Sequence, residues 1–294
     1  MPGRRVVLAA AGILLVLALV LVLVSKSQEA SRALRRGEAQ RAAGEIEAAI
    51  ASFERALESD PELVTAHLEL GRILLEREDP AAAEHLGVAV RLEPENATAQ
   101  LELARSLLAS GRAQEATAPL AEASRLDPDN AECRFLSGAV ALELGDAERA
   151  AAELEAALRL TPTAEIHNEL GTALAALERY EEAVGHFRAA IAEQPDYVDA
   201  YNNAGAGLAA LNRLPEAVEL FTQALERDPG YVDARYNLGW TLARAGETRA
   251  AIREMQEVLR LRPDHPQARR RLPELLTRSA AKAAQESSPQ GSSP

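Results

Sequence analysis

Apolar and small residues recur along this chain at intervals of three and four, the spacing that places them on one face of an α-helix. Ala217, Leu220, Phe221 and Ala224 form one such face. Two such helices lie between successive prolines, which recur every 33 or 34 residues at Pro61, Pro94, Pro128, Pro162, Pro195, Pro229 and Pro263. One helix pair cannot bury its apolar face alone, so the pairs must stack on their neighbours. The pattern predicts an all-α chain of stacked helix pairs.

The stretches Asp196–Pro229 and Gly230–Pro263 match each other position by position, with an offset of 34 residues. A small residue recurs near the middle of each first helix, at Gly71, Ala104, Gly138, Gly171, Gly205 and Gly239. Self-similarity at this period is the signature of a repeat array.

These residues resemble the signature of the tetratricopeptide repeat family. One copy supplies Tyr201, Gly205, Leu208, Ala217, Phe221, Ala224 and Pro229. The resemblance implies a right-handed α-solenoid of helix-turn-helix repeats. We place seven repeats within residues 28–265, at about 30–63, 64–96, 97–130, 131–163, 164–197, 198–231 and 232–265.

The turns between paired helices carry the residues that end a helix. Gly44, Gly111, Gly145, Asn212 and Gly246 lie where a left-handed residue is expected after a first helix. Asp79 and Asp146 then follow as predicted N-cap residues of the second helices.

The N-terminal 27 residues contain the uncharged run Val6–Val24, 19 residues long. As a helix it measures about 28 Å, close to the roughly 30 Å of a membrane's hydrocarbon core. We predict one uncleaved transmembrane anchor, with a cleaved signal peptide ending near Ser25–Ser27 as the alternative. The flanking positive charges do not decide the orientation. We favour repeats on the periplasmic side of an inner membrane, and a cytoplasmic orientation stays open.

Residues 266–285 follow the last repeat and predict a capping helix, interrupted at Pro273. Its Leu272, Leu275 and Leu276 are expected to face the array, with Arg269, Arg270 and Arg271 on the polar side. Residues 286–294 have the composition of a disordered tail.

The formal charge of −13 argues against a nucleic-acid partner, since such a surface repels phosphates. Arginine supplies nearly all positive charge, because lysine occurs only at Lys26 and Lys282, which suggests a GC-rich bacterial source.

Nothing in the sequence favours catalysis, a cofactor, a metal or a small-molecule substrate. The five histidines form no H-E-x-x-H motif, and Cys133 is the single cysteine. His67 and His167 share one repeat position and His85 and His186 another, so a structural role explains them.

What remains is the concave face of the first helices, which members of the resembled family use to hold peptides. Its fifth, sixth and ninth positions carry Glu and Arg in early repeats, including Glu69, Arg72, Glu102 and Arg105. Late repeats carry asparagine and aromatic residues there instead. The predicted binding residues are Asn168, Asn202, Asn203, Tyr236, Asn237 and Trp240. Two alternatives stay open, since asparagine at the sixth position is common in the resembled family for helix and repeat packing, and Trp240 can pack sideways onto the C-terminal cap. The acids Glu132, Glu165, Asp199 and Asp233 recur at the second position as weaker candidates.

The sequence therefore predicts a membrane-anchored adaptor that binds protein or peptide segments and assists assembly or regulation of an envelope complex. Two alternatives stay open: a membrane-bound regulator facing the cytoplasm, and a non-catalytic subunit of an enzyme complex. The partner's identity does not follow from the sequence.

Overall fold

The structure is a computed structural model that describes residues 2–287. Within that range it contains fifteen helices and no strand. The helices are α1 Pro2–Ala42, α2 Ile46–Ser59, α3 Val64–Glu76, α4 Ala82–Leu92, α5 Ala97–Ala109, α6 Ala113–Leu126, α7 Ala131–Glu143, α8 Ala147–Leu160, α9 Ala164–Ala176, α10 Tyr180–Glu193, α11 Val198–Ala210, α12 Leu214–Arg227, α13 Val232–Arg244, α14 Thr248–Leu261 and α15 Pro266–Ser287. From α3 to α13, each odd-numbered helix begins at the first residue of a predicted repeat.

The chain divides into two compact units, Met1–Cys133 and Arg134–Pro294, called unit 1 and unit 2 below. In unit 1 each helix from α1 to α6 packs on the next, and α3 also contacts α1 and α5. Phe53, Leu70, Ile73, Leu86 and Leu120 are buried in this unit. The first helices of successive repeats therefore form one layer of unit 1.

Unit 2 repeats this arrangement from α8 to α15, and α11 also contacts α9 and α13. Its largest fully buried side chains are Leu154, Leu170, Leu174, Phe187, Leu208, Phe221 and Met255. The surface formed by α9, α11 and α13 is called the first-helix surface of unit 2.

Left-handed residues separate the paired helices, as the sequence predicts. Gly44, Gly111, Gly145, Asn212 and Gly246 all have φ between 61° and 87°. Glu78 and Glu178 occupy the same place in the second and fifth repeats, with φ of 56° and 59°. The sequence does not predict the left-handed conformation of these two glutamates, because glutamate rarely adopts it.

The predicted N-caps behave differently from each other. The Asp146 carboxylate accepts a hydrogen bond from the Arg149 backbone N–H at 3.1 Å, as a capping residue does. Asp79 instead accepts from the N–H of Ala81, in a turn that precedes α4.

Close contacts explain the small residue in each first helix. A Cβ atom built on Gly171 would lie 2.6 Å from the Phe187 ring, and one on Gly205 would lie 2.8 Å from the Phe221 ring. In these two repeats the phenylalanine side chain of the second helix therefore packs directly on the backbone of the first.

Successive repeats are joined by a recurring hydrogen bond. The carbonyl oxygen of the closing proline accepts from the side chain six residues later. The pairs are His67 with Pro61 at 3.1 Å, Gln100 with Pro94 at 3.0 Å, Tyr201 with Pro195 at 3.0 Å and Arg235 with Pro229 at 2.8 Å. This bond satisfies the carbonyl group of a proline in the turn between two helices.

Among the described residues, no helix combines the length and apolar character needed to cross a membrane. The backbone of the predicted span Val6–Val24 belongs to α1, but most of its side chains lie outside the description.

The predicted cap corresponds to α15, which differs from expectation in two ways. The helix continues through Pro273 instead of being interrupted there. Leu275 is buried and Leu272 half-buried, but Leu276 is 46% exposed, so it does not face the array. Leu276 points about 100° away from Leu275 around the helix, so the side of α15 that is buried includes Leu275 and leaves Leu276 exposed. The predicted tail lies outside the described residues from position 288 onward.

Candidate functional site

Four of the six predicted binding residues form a hydrogen-bonded ladder across the first-helix surface of unit 2. Asn203 Nδ2 donates to Asn168 Oδ1 at 3.0 Å, which joins α11 to α9. Asn237 Nδ2 donates to Asn202 Oδ1 at 2.9 Å, which joins α13 to α11. Asn202 Nδ2 donates to Asn203 Oδ1 at 3.3 Å and connects the two halves. We call these four residues the asparagine ladder.

The ladder has buried and half-buried members. Asn168 and Asn202 are 5% and 8% exposed, so they serve mainly as partners for the other two. Asn203 and Asn237 are half-buried. An asparagine side chain has two N–H donors and an oxygen with two lone pairs. The bonds of the ladder use only part of that capacity at Asn203 and Asn237.

The other two predicted residues, Tyr236 and Trp240, contact the C-terminal end of unit 2. The Tyr236 ring lies 4.9 Å from the His265 ring, and the Arg271 guanidinium lies 3.5 Å from the centre of the Trp240 ring. The expectation that Arg271 lies on the polar side of the cap is therefore wrong. A guanidinium stacks favourably on an indole face, and this contact covers that face of Trp240.

Carboxylates accompany the asparagine ladder on α9 and α11. Burial raises the pKa of the Glu169 carboxyl, against a hydrogen bond from Asn168, and the nearby Asp199 raises it further. Asp199 itself accepts a 2.6 Å hydrogen bond from the Tyr231 hydroxyl. Burial and this hydrogen bond raise the pKa of Tyr231. The surface next to the ladder is thus acidic and partly dehydrated.

The Glu and Arg residues of the early repeats pair with one another in unit 1. The Arg72 guanidinium lies 3.1 Å from Glu69 and 3.0 Å from Glu102. Further ion pairs join Arg41 to Glu69, Arg105 to Glu102 and Arg105 to Glu132. We call these six residues the ion-pair ladder. Because three cations alternate with three anions, their charges compensate one another.

The histidines form two contacting pairs, which the repeat pattern does not predict. His67 Nδ1 lies 3.1 Å from His85 Nδ1, and His167 Nδ1 lies 3.0 Å from His186 Nδ1. In unit 1 the tautomers follow from geometry: His67 Nε2 must carry a proton to bond the Pro61 carbonyl, so His85 Nδ1 donates to His67 Nδ1. The sequence signal for these pairs is that His67 shares a repeat position with His167, and His85 shares one with His186.

In other repeats of unit 2, an ion pair between the first and second helix occupies the position of the histidine pair. Arg134 lies 2.8 Å from Glu153, and Arg235 lies 3.0 Å from Glu254.

Within the part of the chain that the structure describes, no three His, Cys, Asp or Glu side chains come together as a metal site. Cys133 is buried, with its sulfur 3.2 Å from the Ser124 hydroxyl.

Comparison with protein-family models identifies the repeats. Models of the tetratricopeptide repeat match residues 34–87, 80–131, 135–198 and 208–275. The chain belongs to the tetratricopeptide repeat family. Proteins of this family typically serve as non-catalytic scaffolds for protein interactions, which is the class of function that the fold supports. No match was found among curated proteins.

Solved structures share the fold. YrrB, described as a tetratricopeptide repeat protein with an unusual peptide-binding site, is 28% identical with a TM-score of 0.54, over 63% of this chain and 96% of YrrB. PilF of Pseudomonas aeruginosa is 20% identical with a TM-score of 0.58, over 72% of this chain and 97% of PilF. MamA of Desulfovibrio magneticus RS-1 is 23% identical with a TM-score of 0.54, over 58% of this chain and 97% of MamA. The likeness to PilF and MamA concerns the fold alone.

Proposed function

We propose that this tetratricopeptide repeat protein is a non-catalytic adaptor that holds an extended segment of a partner protein on the first-helix surface of unit 2. The asparagine ladder carries the proposal. Asn203 and Asn237 are half-buried and keep unused donors and acceptors, as counted above. Those groups suit a polypeptide main chain, which offers one N–H and one carbonyl per residue.

The ladder's own bonds support a binding role because they fix the amides before a ligand arrives. Asn168 and Asn202 hold the side chains of Asn203 and Asn237 in one orientation. Side chains that are already ordered lose less conformational entropy on binding. The peptide-binding site described for YrrB, whose likeness covers most of that protein, makes a peptide ligand a reasonable class for this chain.

Unit 1 is the weaker candidate for the binding surface. Its ion-pair ladder occupies the equivalent helices, and Glu69 and Glu102 have side chains only 18% and 11% exposed. A ligand there would have to replace several charged hydrogen bonds, and removing one partner of a buried charge is costly.

The test is selection of random linear peptides, displayed on phage, against the purified full-length chain. We expect bound peptides to lose about tenfold or more in affinity when Asn203 and Asn237 are both changed to alanine, since each lost hydrogen bond contributes about 1 kcal/mol. Gln223→Ala is the matched control, because Gln223 is a half-buried amide on the second helix α12. It should leave binding unchanged.

Circular dichroism and melting temperature confirm that each variant is folded. Peptides that bind the Asn203→Ala/Asn237→Ala variant as tightly as the wild type would contradict this placement. So would a selection that yields no binding peptide.

We also propose that Val6–Val24 anchors the chain in the inner membrane, with the repeats in the periplasm, where the adaptor serves an envelope complex. The uncharged sequence supports the anchor. So do the described side chains of Leu17 and Val20–Val24, which are 48–69% exposed, since a continuous exposed apolar run favours an apolar environment.

An anchored chain should remain with membranes after washing with high salt and with alkali, and release of the full-length chain would contradict the anchor. For the orientation, we expect activity from a C-terminal reporter that works only outside the cytoplasm. An intact but inactive fusion would favour the regulator that faces the cytoplasm.

A further inference from the structure

A small cavity opens beside the asparagine ladder in unit 2. It lies between α9 and α11, over α10, and has a volume of about 180 Å³. Its lining includes Thr172 and Ala175 of α9, the Tyr180 and Phe187 rings of α10, and Asn203 and Ala206 of α11. We propose that this cavity receives one apolar side chain, of the size of leucine, methionine or phenylalanine, from the segment bound along the ladder. The proposal rests on the proposed function and specifies its ligand.

The size of the cavity suits such a side chain. An engineered protein cavity of about 150 Å³ admits benzene, so 180 Å³ has room for an aliphatic chain or a single ring. The half-buried Tyr180 ring and the almost fully buried Phe187 ring give this lining an aromatic, apolar floor. None of the six lining residues named above carries a charge, so a charged side chain would be dehydrated here without an ionic partner.

The cavity follows from small residues at one repeat position. Thr172 and Ala206 occupy the ninth position of the fifth and sixth repeats. The second and third repeats have Arg72 and Arg105 there, and the seventh has Trp240. The longer arginines belong to the ion-pair ladder, and Trp240 packs under Arg271. The combination of short ninth residues and an asparagine ladder thus distinguishes the fifth and sixth repeats from those three.

Asn203 connects the cavity to the ladder, because it belongs to both. A main-chain group bonded to the Asn203 amide lies at the mouth of the cavity. In an extended segment alternate side chains point to the same side. One side chain can therefore enter the cavity while its two neighbours point away from it.

The experiment uses the peptides selected on the full-length chain and adds the variant Ala206→Leu. Ala206 is exposed, so leucine there fills the cavity without disturbing the buried core. Ala210→Leu is the matched control, since Ala210 is an exposed alanine of the same helix outside the cavity. Melting temperatures establish that both variants are folded.

We expect the selected peptides to share an apolar residue at one fixed place. Changing that residue to alanine should weaken binding about 10- to 50-fold, given the free energy of burying two or three methylene groups. Ala206→Leu should weaken binding to a similar extent, whereas Ala210→Leu should not.

Two kinds of contrary result distinguish failure of the cavity assignment from failure of the proposed function. Peptides that depend on Asn237 but share no apolar residue, or that bind Ala206→Leu as tightly as wild type, would overturn the cavity assignment and leave the proposed function in place. Peptides whose binding is insensitive to the double change Asn203→Ala/Asn237→Ala, or the absence of any binding peptide, would overturn both.

Discussion

At the scale of the residue, Glu78 and Glu178 hold a backbone conformation that glycine holds in the same place elsewhere. Their φ values of 56° and 59° lie in the left-handed region, where a side chain costs about 1–2 kcal/mol. The geometry of the turn between the helices imposes this conformation in every repeat. The two glutamates are therefore local points of strain in an otherwise regular array.

Glu178→Gly is expected to stabilise unit 2 by about 1 kcal/mol, because glycine adopts φ near 60° without steric cost. Chemical denaturation measures the change in the free energy of unfolding. The control is Glu155→Gly, the same substitution at an exposed position inside α8, which should destabilise by about 1 kcal/mol. Equal effects of the two substitutions would contradict the strain at Glu178.

The residues also show how far the sequence leads. Periodicity indicates which face of a helix is buried, so the asparagines were correctly expected on one surface. It does not tell which side chains bond one another, and the ladder's internal hydrogen bonds depend on distances between helices. The sequence leaves open that Trp240 packs onto the C-terminal cap, and the structure shows such a contact. That Arg271 makes the contact depends on how α15 packs, which no repeat pattern specifies.

At the scale of the element, the packing of a second helix on a first depends on the glycine at the middle of the first. The repeat pattern predicted a small residue at this position. The structure adds the reason, which is the approach of Phe187 to Gly171 and of Phe221 to Gly205. Leucine makes the same approach in two other repeats, where a Cβ on Gly71 would lie 2.6 Å from Leu86 and one on Gly138 would lie 2.5 Å from Leu154. The third repeat has Ala104 at this position.

Gly205→Ala is expected to destabilise the protein by about 1–3 kcal/mol, because the new methyl group would lie 2.8 Å from the buried Phe221 ring. Gly185→Ala on α10 is the control. No atom lies within 4 Å of its added Cβ, so alanine should stabilise that helix by up to about 1 kcal/mol. The melting temperatures of both variants test this prediction. If Gly205→Ala raised the melting temperature, the Phe221 ring would have to move aside without cost.

At the scale of the whole molecule, the two units carry different chemistry on equivalent helices. In unit 1 the ion-pair ladder compensates its own charges. In unit 2 the ladder consists of neutral amides with carboxylates such as Glu169 and Asp199 beside it. Each unit also contains one histidine pair, and these pairs make the stability of both units respond to pH.

Burial and the adjacent His67 lower the pKa of His85, and burial and His167 likewise lower the pKa of His186. The unfolded chain, where histidine titrates near 6.5, therefore binds these protons more readily than the folded chain. It follows that stability is greatest above about pH 6.5 and falls as the pH falls below it.

We expect the melting temperature to drop between pH 7.5 and 5.5. The drop should be smaller in the double variant His85→Leu/His186→Leu, which places leucine where the sixth repeat already has Leu220. The measured quantity is the difference between the two pH values for each protein, so any uniform loss of stability cancels. Equal drops in wild type and variant would contradict the role of the pairs.

The hydrogen bond to the closing proline has a consequence for how such a chain can change its length. Histidine, glutamine, tyrosine and arginine all make it, so the joint depends on spacing and not on one side chain. At the shorter interval from Pro162 to His167, Thr163 caps the next helix instead. Duplication or deletion of a segment that preserves this interval would leave each closing proline with a side chain six residues later that can bond to its carbonyl oxygen. Recombination between copies could thus alter the number of repeats without a new junction having to arise.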